Sequence, residues 1–157
     1  MKEILYNEGQ LIKERLAEIS DYIYRNPELG NEEYKAVEAL TTFLKEHGFE
    51  IECPYSGMNT AFKATFDSGK EGMTVGYLCE YDALPKIGHG CGHNMIGVMS
   101  AGAGVVLSKV LSEIGGKIIV YGTPAEETNG GKVILAEAGV FDELDAAMIV
   151  HPDGETR

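Results

Sequence analysis

The side chains best suited to chemistry lie in the glycine-rich segment GHGCGHN at residues 88–94. Cys91 and His93 are two positions apart, so both side chains can point the same way in an extended or turning backbone. A thiolate and an imidazole placed in this way can bind one metal ion, and the glycines permit backbone angles that other residues avoid. Glycine-rich turns also precede ordinary helices, and a single cysteine is usually a small buried hydrophobic residue, so the pair needs further ligands. The position of His89 favours a metal ligand no more than an ordinary loop histidine.

Two adjacent carboxylates, Glu126 and Glu127, form the second informative pattern. They follow a predicted strand within GTPAEET at residues 122–128. Because neighbours on an extended segment point to opposite sides, the two carboxylates are not expected to share one role. One can bind a metal ion while the other takes a proton from a water molecule that the metal activates. The simpler alternative is a pair of solvated loop residues, since glutamate is mostly exposed in proteins.

Helices and strands are predicted to alternate along the chain, which indicates an α/β domain with a largely parallel sheet. The spacing of apolar residues predicts helices over 3–24, 31–47, 92–114 and 130–138, with Asn31 as the N-cap of the second and His47 at its end. Apolar or alternating runs predict strands over 49–53, 60–66, 73–79, 117–121 and 146–150. Cys79 is expected to be a buried hydrophobic residue of the third strand.

The candidate residues follow the ends of these strands. Glu80 and Asp82 come after the strand at 73–79, the two glutamates after 117–121, and His151 after 146–150. Ligands of α/β domains gather beyond the carboxyl ends of parallel strands, so these side chains are expected to converge. Mixed nitrogen, sulfur and oxygen ligands suit Zn²⁺ and related transition metals, and the sequence offers Cys91, His93, Glu127 and His151. Asp82 is either a turn residue or a carboxylate that orients a ligand imidazole.

Composition restricts the classes of partner. The chain has 157 residues, 44% hydrophobic and 24% charged, which is enough for one domain with a sizeable core. Its net charge of -12 argues against nucleic acid and anionic membranes as partners. We find neither an apolar run of transmembrane length nor an apolar signal core. The odd number of cysteines, three, predicts a reducing cytoplasmic location without a disulfide framework.

Four motifs, EYDALP, GHGCGHN, GTPAEET and VHP, occur in this order and together resemble the M20 family of metallo-amidohydrolases and peptidases. The resemblance is closest to the branch that contains aminoacylase-like enzymes, hippurate hydrolase and auxin-conjugate hydrolases. The segment RNPELGNEE is similar to the Pro-Glu-Leu-Gly segment of that branch, although Asn26 stands where a histidine is common. Asn94 and GTPAEET are similar to the subgroup of p-aminobenzoyl-glutamate hydrolase subunits and related dipeptidases.

The resemblance implies a three-layer αβα, zinc-exopeptidase-like catalytic domain and an amidohydrolase or peptidase activity. Its substrate would be a small molecule, namely an N-acyl amino acid, an amino-acid conjugate or a dipeptide. The cofactor would be a divalent transition metal, Zn or Mn with Co or Ni as alternatives, and two ions in the complete enzyme. By resemblance the catalytic residues are Glu126, the general base, and Asp82, beside the metal. The metal ligands would be Cys91, His93, Glu127 and His151.

Two departures from the family pattern define the alternatives. Glu80 stands where other branches have a ligand histidine, and family members are longer, with an inserted lid domain and one more ligand histidine after it. Residues 1–157 are therefore expected to be the N-terminal part of the catalytic domain, weakly active alone and self-associating. One alternative is a truncated, non-catalytic metal-binding protein with a regulatory or relic role. Another, a thiol enzyme using Cys91, is disfavoured because no resolving cysteine lies nearby in sequence.

Overall fold

A five-stranded mixed sheet forms the centre of the computed structural model, which describes residues 1–152. In chain order the strands are β1 (Glu50–Glu52), β2 (Phe62–Asp67), β3 (Thr74–Cys79), β4 (Lys117–Gly122) and β5 (Ala146–Met148). Their spatial order is β1-β2-β4-β3-β5. The β4, β3 and β5 strands run parallel, whereas β1 and β2 pair antiparallel. The predicted α/β fold is confirmed, but the sheet is mixed rather than largely parallel, and its parallel part carries the candidate site.

The antiparallel pairing of β1 with β2 has a simple cause. Parallel neighbours need a long crossover connection, and the chain between β1 and β2 contains no helix that could provide one. The crossover from β3 to β4 does contain a helix, so that pair is parallel.

Four helices complete the described chain: α1 (Lys2–Arg25), α2 (Tyr34–Glu46), α3 (His93–Ile114) and α4 (Gly131–Glu137). His47 lies at the C-terminal end of α2, as predicted, and its Nδ1 lies 2.8 Å from the carbonyl oxygen of Phe43. The predicted cap at Asn31 is wrong, because the N-cap of α2 is Glu33. Asn31 instead adopts a left-handed φ of 70° and donates a hydrogen bond to Asn129, which draws it away from the helix.

The main core lies between the sheet and the layer formed by α1, α2 and α3. Ile118 and Val120 of β4 face this layer, and the alternate residue Tyr121 faces the opposite side, where its ring meets Phe141. Cys79 is fully buried in the core, as predicted, because its short apolar side chain fills space beside α3.

The α3 helix is apolar on almost every side because it is enclosed within the fold. Its length and composition would allow it to cross a membrane, with a mean hydropathy of 1.6 over its most apolar window, which our sequence analysis did not anticipate. Sixty-one per cent of that window is buried inside the protein, against the sheet and α1. We therefore interpret α3 as a core helix whose N-terminal residue, His93, enters the candidate site.

Candidate metal centre

Two overlapping groups of potential metal ligands lie beyond the carboxyl ends of the parallel strands. In one, ligand atoms of Cys91, His93 and Glu127 lie within 4.8 Å of one another. In the other group, ligand atoms of Glu80, His93 and His151 also lie within 4.8 Å of one another. All four predicted ligands therefore belong to this region, and His93 is common to both groups.

His93 is positioned by the first turn of α3 and by Asp82. Its side chain is 1% exposed, and Nδ1 lies 2.9 Å from Oδ1 of Asp82 and 3.1 Å from the carbonyl oxygen of the same residue. Both oxygens can only accept when the carboxylate is ionised, so Nδ1 carries the proton. In the neutral ring, Nε2 then presents its lone pair to the carboxylates of Glu80 at 3.4 Å and Glu127 at 3.8 Å.

Asp82 also positions the loop that carries the acidic pair. Its second oxygen, Oδ2, accepts a hydrogen bond from the backbone N–H of Glu127 at 3.0 Å. Burial alone would raise the pKa of Asp82, but the hydrogen bonds from His93 and Glu127 outweigh it and hold this pKa below its ordinary value. Asp82 therefore contacts both the imidazole of His93 and the backbone of Glu127.

Glu126 and Glu127 diverge for a reason that differs from the predicted one. They lie in a turn, residues 126–129, rather than on an extended segment, and the preceding Ala125 has a left-handed φ of 59°. This turn directs Glu127, 23% exposed, toward Cys91 and His93. Glu126 lies outside both ligand groups, and its Oε1 is 4.0 Å from Nζ of Lys132.

His151 approaches the site from the segment after β5. Its Nδ1 lies 2.8 Å from the carbonyl oxygen of Pro152, which can only accept, so Nε2 is the nitrogen left to bind a ligand. Gly92, in a left-handed conformation with φ of 78°, allows this approach, because a Cβ there would lie 2.6 Å from the ring of Pro152. His151 and Cys91 line one shallow cavity of about 390 Å³.

Sequence reasoning underestimated the pair formed by Glu80 and Lys132. Glu80 is 2% exposed, and its Oε1 forms an ion pair with the amine of Lys132. Burial lowers the pKa of Lys132. The acidic residue at position 80 was visible in the sequence, but nothing in the order of residues connects it with a lysine more than fifty positions away.

Comparisons with known proteins identify relatives of this chain. The chain is 42% identical over 159 residues to Xaa-Arg dipeptidase of Mus musculus, covering 90% of this chain and 36% of the relative. It is 34% identical to a subunit of p-aminobenzoyl-glutamate hydrolase from Escherichia coli, covering 90% of this chain and 33% of that protein. No family model matches the chain.

Solved structures share the fold over nearly the whole chain. An aminohydrolase candidate from methicillin-resistant Staphylococcus aureus superposes with a TM-score of 0.83 and 28% identity, covering 94% of this chain and 41% of that one. A dinuclear metal-binding peptidase of the M20 family from Bacillus subtilis superposes with a TM-score of 0.77 and 24% identity, covering 88% of this chain and 42% of that one. The expected similarity to p-aminobenzoyl-glutamate hydrolase subunits and dipeptidases is confirmed. The chain spans about a third of the length of the curated relatives named above.

The residues of this candidate site fit a divalent metal ion. Nε2 of His93 and Oε2 of Glu80 are buried without a hydrogen-bond partner among residues 1–152, and both face other acceptors. Acceptors in such proximity need a proton or a cation between them. Burial would lower the pKa of His93, but Asp82, Glu127 and Glu126 outweigh it and raise this pKa, so the local field favours positive charge.

Cys91 belongs to one of the two ligand groups, whereas His89 belongs to neither. The hydrogen bond between Cys91 and Glu127, with some burial, raises the pKa of the half-buried thiol to about 11. Metal charge is the ordinary means by which a coordinating thiol loses its proton. His89 is 7% exposed, its two ring nitrogens have no hydrogen-bond partner within residues 1–152, and it belongs to neither ligand group. Its ring lies 6.5 Å from that of Tyr24.

Proposed function

We propose that this chain carries the metal-binding part of an amidohydrolase that cleaves the amide bond of an N-acyl amino acid, an amino-acid conjugate or a dipeptide. The observation that carries the proposal is the position of His93 in both ligand groups, with Nδ1 held by Asp82 and Nε2 directed at other potential ligands. Histidine held by a carboxylate in this way is the usual arrangement in protein metal sites.

The proposed ligands are Cys91, His93, Glu127 and His151, with Glu80 as a further carboxylate donor. The metal would be a divalent transition ion, Zn or Mn, with Co or Ni as alternatives that mixed nitrogen, sulfur and oxygen donors also accept. Two ions are proposed for the complete enzyme. His93 can bind only one of them, because a neutral imidazole has one free lone pair, so the remaining donors would be divided between the two ions.

Each nearby side chain has a proposed task. A bound metal ion would supply Lewis-acid polarisation of the substrate carbonyl. Glu126, which lies outside both ligand groups, would take a proton from the attacking water and deliver it to the leaving amine nitrogen. Asp82 would hold His93 and the backbone of Glu127 in place throughout.

The relatives support a small amide as substrate. Their names include a dipeptidase, a p-aminobenzoyl-glutamate hydrolase and an N-acetyl-L-cysteine deacetylase, all of which act on a bond to an amino acid. The net charge of -12 supports the exclusion of nucleic acid and anionic membranes as partners. The three free cysteines agree with a reducing location, which we propose to be the cytoplasm.

Self-association is proposed through the β5 edge of the sheet. Met148, Ile149 and Val150 are 44%, 40% and 61% exposed, and β5 is the last strand in the spatial order. A cavity of about 300 Å³ beside them is lined mainly by apolar side chains, including Tyr77 and Met99. An edge strand with exposed apolar residues readily pairs with another chain.

Metal content and amidase activity should be measured together on the purified chain. The protein is stripped with a chelator and reloaded separately with Zn²⁺, Mn²⁺, Co²⁺ or Ni²⁺. It is then assayed with N-acetyl amino acids, dipeptides and p-aminobenzoyl-glutamate. We expect stoichiometric metal and slow, strictly metal-dependent hydrolysis.

Two variants and one control variant help to distinguish the proposed function from its alternatives. Cys91→Ser is expected to lose metal, whereas Glu126→Gln is expected to keep metal and lose hydrolysis. Metal binding with no hydrolysis of any of these substrates would support the non-catalytic alternative. Hydrolysis by metal-free protein that thiol alkylation abolishes would support the thiol alternative. Asp67→Asn, a change in the last residue of β2, is the control and should match the unmodified chain in metal content and hydrolysis.

A further inference from the structure

The loop between α1 and α2, residues 26–33, contacts both loops that carry the candidate site. The carbonyl oxygen of Glu28 accepts a hydrogen bond from the N–H of Ala83, directly after Asp82, at 2.8 Å. The side chain of Glu33 accepts one from the N–H of Ala125, directly before Glu126, at 2.7 Å. The α1–α2 loop therefore connects the segments that follow β3 and β4.

Glu33 is a buried carboxylate to which the proposed catalytic function gives no task. It is fully buried, and burial raises its pKa. Oε1 accepts the N–H of Ala125, and hydrogen-bonding groups of Thr60 and of the Asn31 backbone also act against the effect of burial on the pKa. Burying a carboxylate is unfavourable unless hydrogen bonds of this kind compensate.

The side chain of Glu33 does not cap α2. Glu33 is the N-cap residue of α2, yet its side chain makes no capping hydrogen bond. Glu28 satisfies the first turn instead, because its carboxylate accepts the N–H groups of Lys35 and Ala36. The side chain of Glu33 is directed away from its own helix and toward Ala125.

Ala125 has an unfavourable backbone conformation that its hydrogen bonds must stabilise. It is fully buried and has a φ of 59°, a left-handed conformation that is unfavourable for a residue with a Cβ. Its carbonyl oxygen accepts the N–H groups of Thr128 and Gly130, which closes the turn that contains Glu126 and Glu127. Without Glu33, the N–H of Ala125 would be buried and unpaired.

Gly30 shows how closely the α1–α2 loop lies against this turn. A Cβ at position 30 would lie 2.5 Å from Oγ1 of Thr128 and 2.9 Å from Cα of Ala125. Two backbone segments in direct contact transmit a displacement of one to the other. The conformation of the turn therefore depends on the loop that carries Glu33.

We propose that Glu33 is a positioning residue, whose carboxylate oxygen holds Ala125 in its left-handed conformation and so fixes Glu127 as a metal ligand and Glu126 outside the ligand groups. This rests on the proposed metal centre. The feature that matters is the hydrogen-bond acceptor at the position of Oε1 rather than the negative charge.

Cobalt binding by the 157-residue chain tests this directly. A Co²⁺ ion bound by Cys91 gives a thiolate charge-transfer band, and its d–d bands report the ligand geometry. Glu33→Gln keeps the acceptor and removes the charge, so we expect the spectrum and affinity of the unmodified chain. Glu33→Asp keeps the charge but withdraws the acceptor by one methylene, and Glu33→Leu removes it. Both are expected to alter the d–d bands, and Glu33→Leu to weaken Co²⁺ binding by about 10–100-fold.

Val105→Ala is the matched control, because it destabilises the core on α3 and should leave the cobalt spectrum unchanged. If Glu33→Leu does not fold, the comparison of Glu33→Gln with Glu33→Asp still distinguishes the effect of the acceptor from the effect of the charge. Weak binding by the Gln variant with normal binding by the Asp variant would overturn the proposal in favour of a purely electrostatic effect. Unchanged spectra in all three variants would also overturn it. If the unmodified chain shows no thiolate band, the metal centre itself is wrong and this proposal fails with it.

Discussion

The carboxylate of Asp82 accepts the N–H of the His93 imidazole at 2.9 Å and leaves the opposite ring nitrogen directed at the ligand groups. Its second oxygen holds the backbone of Glu127. One side chain therefore orients two candidate ligands that are 34 positions apart in the chain. We therefore expect substitution of Asp82 to weaken metal binding, although Asp82 belongs to neither ligand group.

Asp82→Asn is expected to weaken metal binding by about 10–100-fold. The amide can accept from His93 with its oxygen, but its NH₂ group then opposes the N–H of Glu127. Competition titration of Co²⁺ or Zn²⁺ against a chelator measures the effect, with Asp67→Asn as the control. Equal affinities of the Asp82→Asn variant and the unmodified chain would show that this carboxylate does not position the ligands.

Glu126→Gln and Glu127→Gln are expected to have different effects in the metal-loaded protein. Glu126→Gln should keep its metal and lose about 10²–10⁴-fold in amide hydrolysis, the usual scale for general acid–base catalysis. Glu127→Gln should lower metal affinity as well, because Glu127 lies in a ligand group. Metal analysis together with kinetics on both variants tests this. Metal loss confined to the Glu126 variant would reverse the two assignments.

Lys132→Met is expected to lower the free energy of unfolding by about 1–3 kcal/mol, less than for a fully enclosed ion pair, because Lys132 is 30% exposed. It leaves the buried Glu80 unpaired. Adding Glu80→Gln should restore most of the loss, since the remaining side chain is neutral. Urea denaturation of both single variants and the double variant, with chelator present, gives the coupling. Additive losses would mean that the two side chains do not stabilise one another.

We expect the ionisation of Glu33 to make the free energy of unfolding depend on pH. Burial raises its pKa in the folded state above the ordinary value of 4.5, so the folded protein holds this proton more tightly than the unfolded chain. Stability from this group is therefore lost as pH rises from 4.5 through the folded-state pKa. Glu33→Gln lacks this loss and should gain stability relative to the unmodified chain as the pH rises above 4.5. Urea midpoints across that range measure the difference, and parallel curves for the two proteins would contradict it.

Val150→Lys is expected to reduce self-association. Val150 is 61% exposed after the edge strand β5, and a lysine at an edge opposes pairing with another chain. Sedimentation velocity over a range of concentrations measures the oligomers. Val133→Lys on α4 is the matched control, because Val133 is 59% exposed and lies away from that edge. An equal effect of both changes would indicate a general charge effect rather than a specific interface.

The sequence contained enough information to predict the elements and the site region. The helical spacing over 92–114 and the apolar run over 117–121 are local patterns, and the structure has α3 and β4 there. Cys91, His93, Glu127 and His151 were predicted to converge because they follow strand ends or begin a helix. The structure places each of them in one of two groups that share His93.

The features that were not predicted depend on contacts between distant residues. The left-handed turn at Ala125 is supported by Glu33, 92 positions earlier, and alanine carries no local signal for such a conformation. Asn31 has the side chain of a helix cap, but its bond to Asn129 places it elsewhere. The pairing of Glu80 with Lys132 likewise depends on how α4 meets the end of β3.

The order of the ligands along the chain has a consequence for biosynthesis. Cys91, His93 and Glu127 leave the ribosome before His151, which follows β5. A nascent chain can assemble the first ligand group while the second is still incomplete. A metal ion captured at that stage would have three donors, and the docking of β5 beside β3 would add His151. Retention of the metal by all four donors would thus report that β5 has joined the sheet.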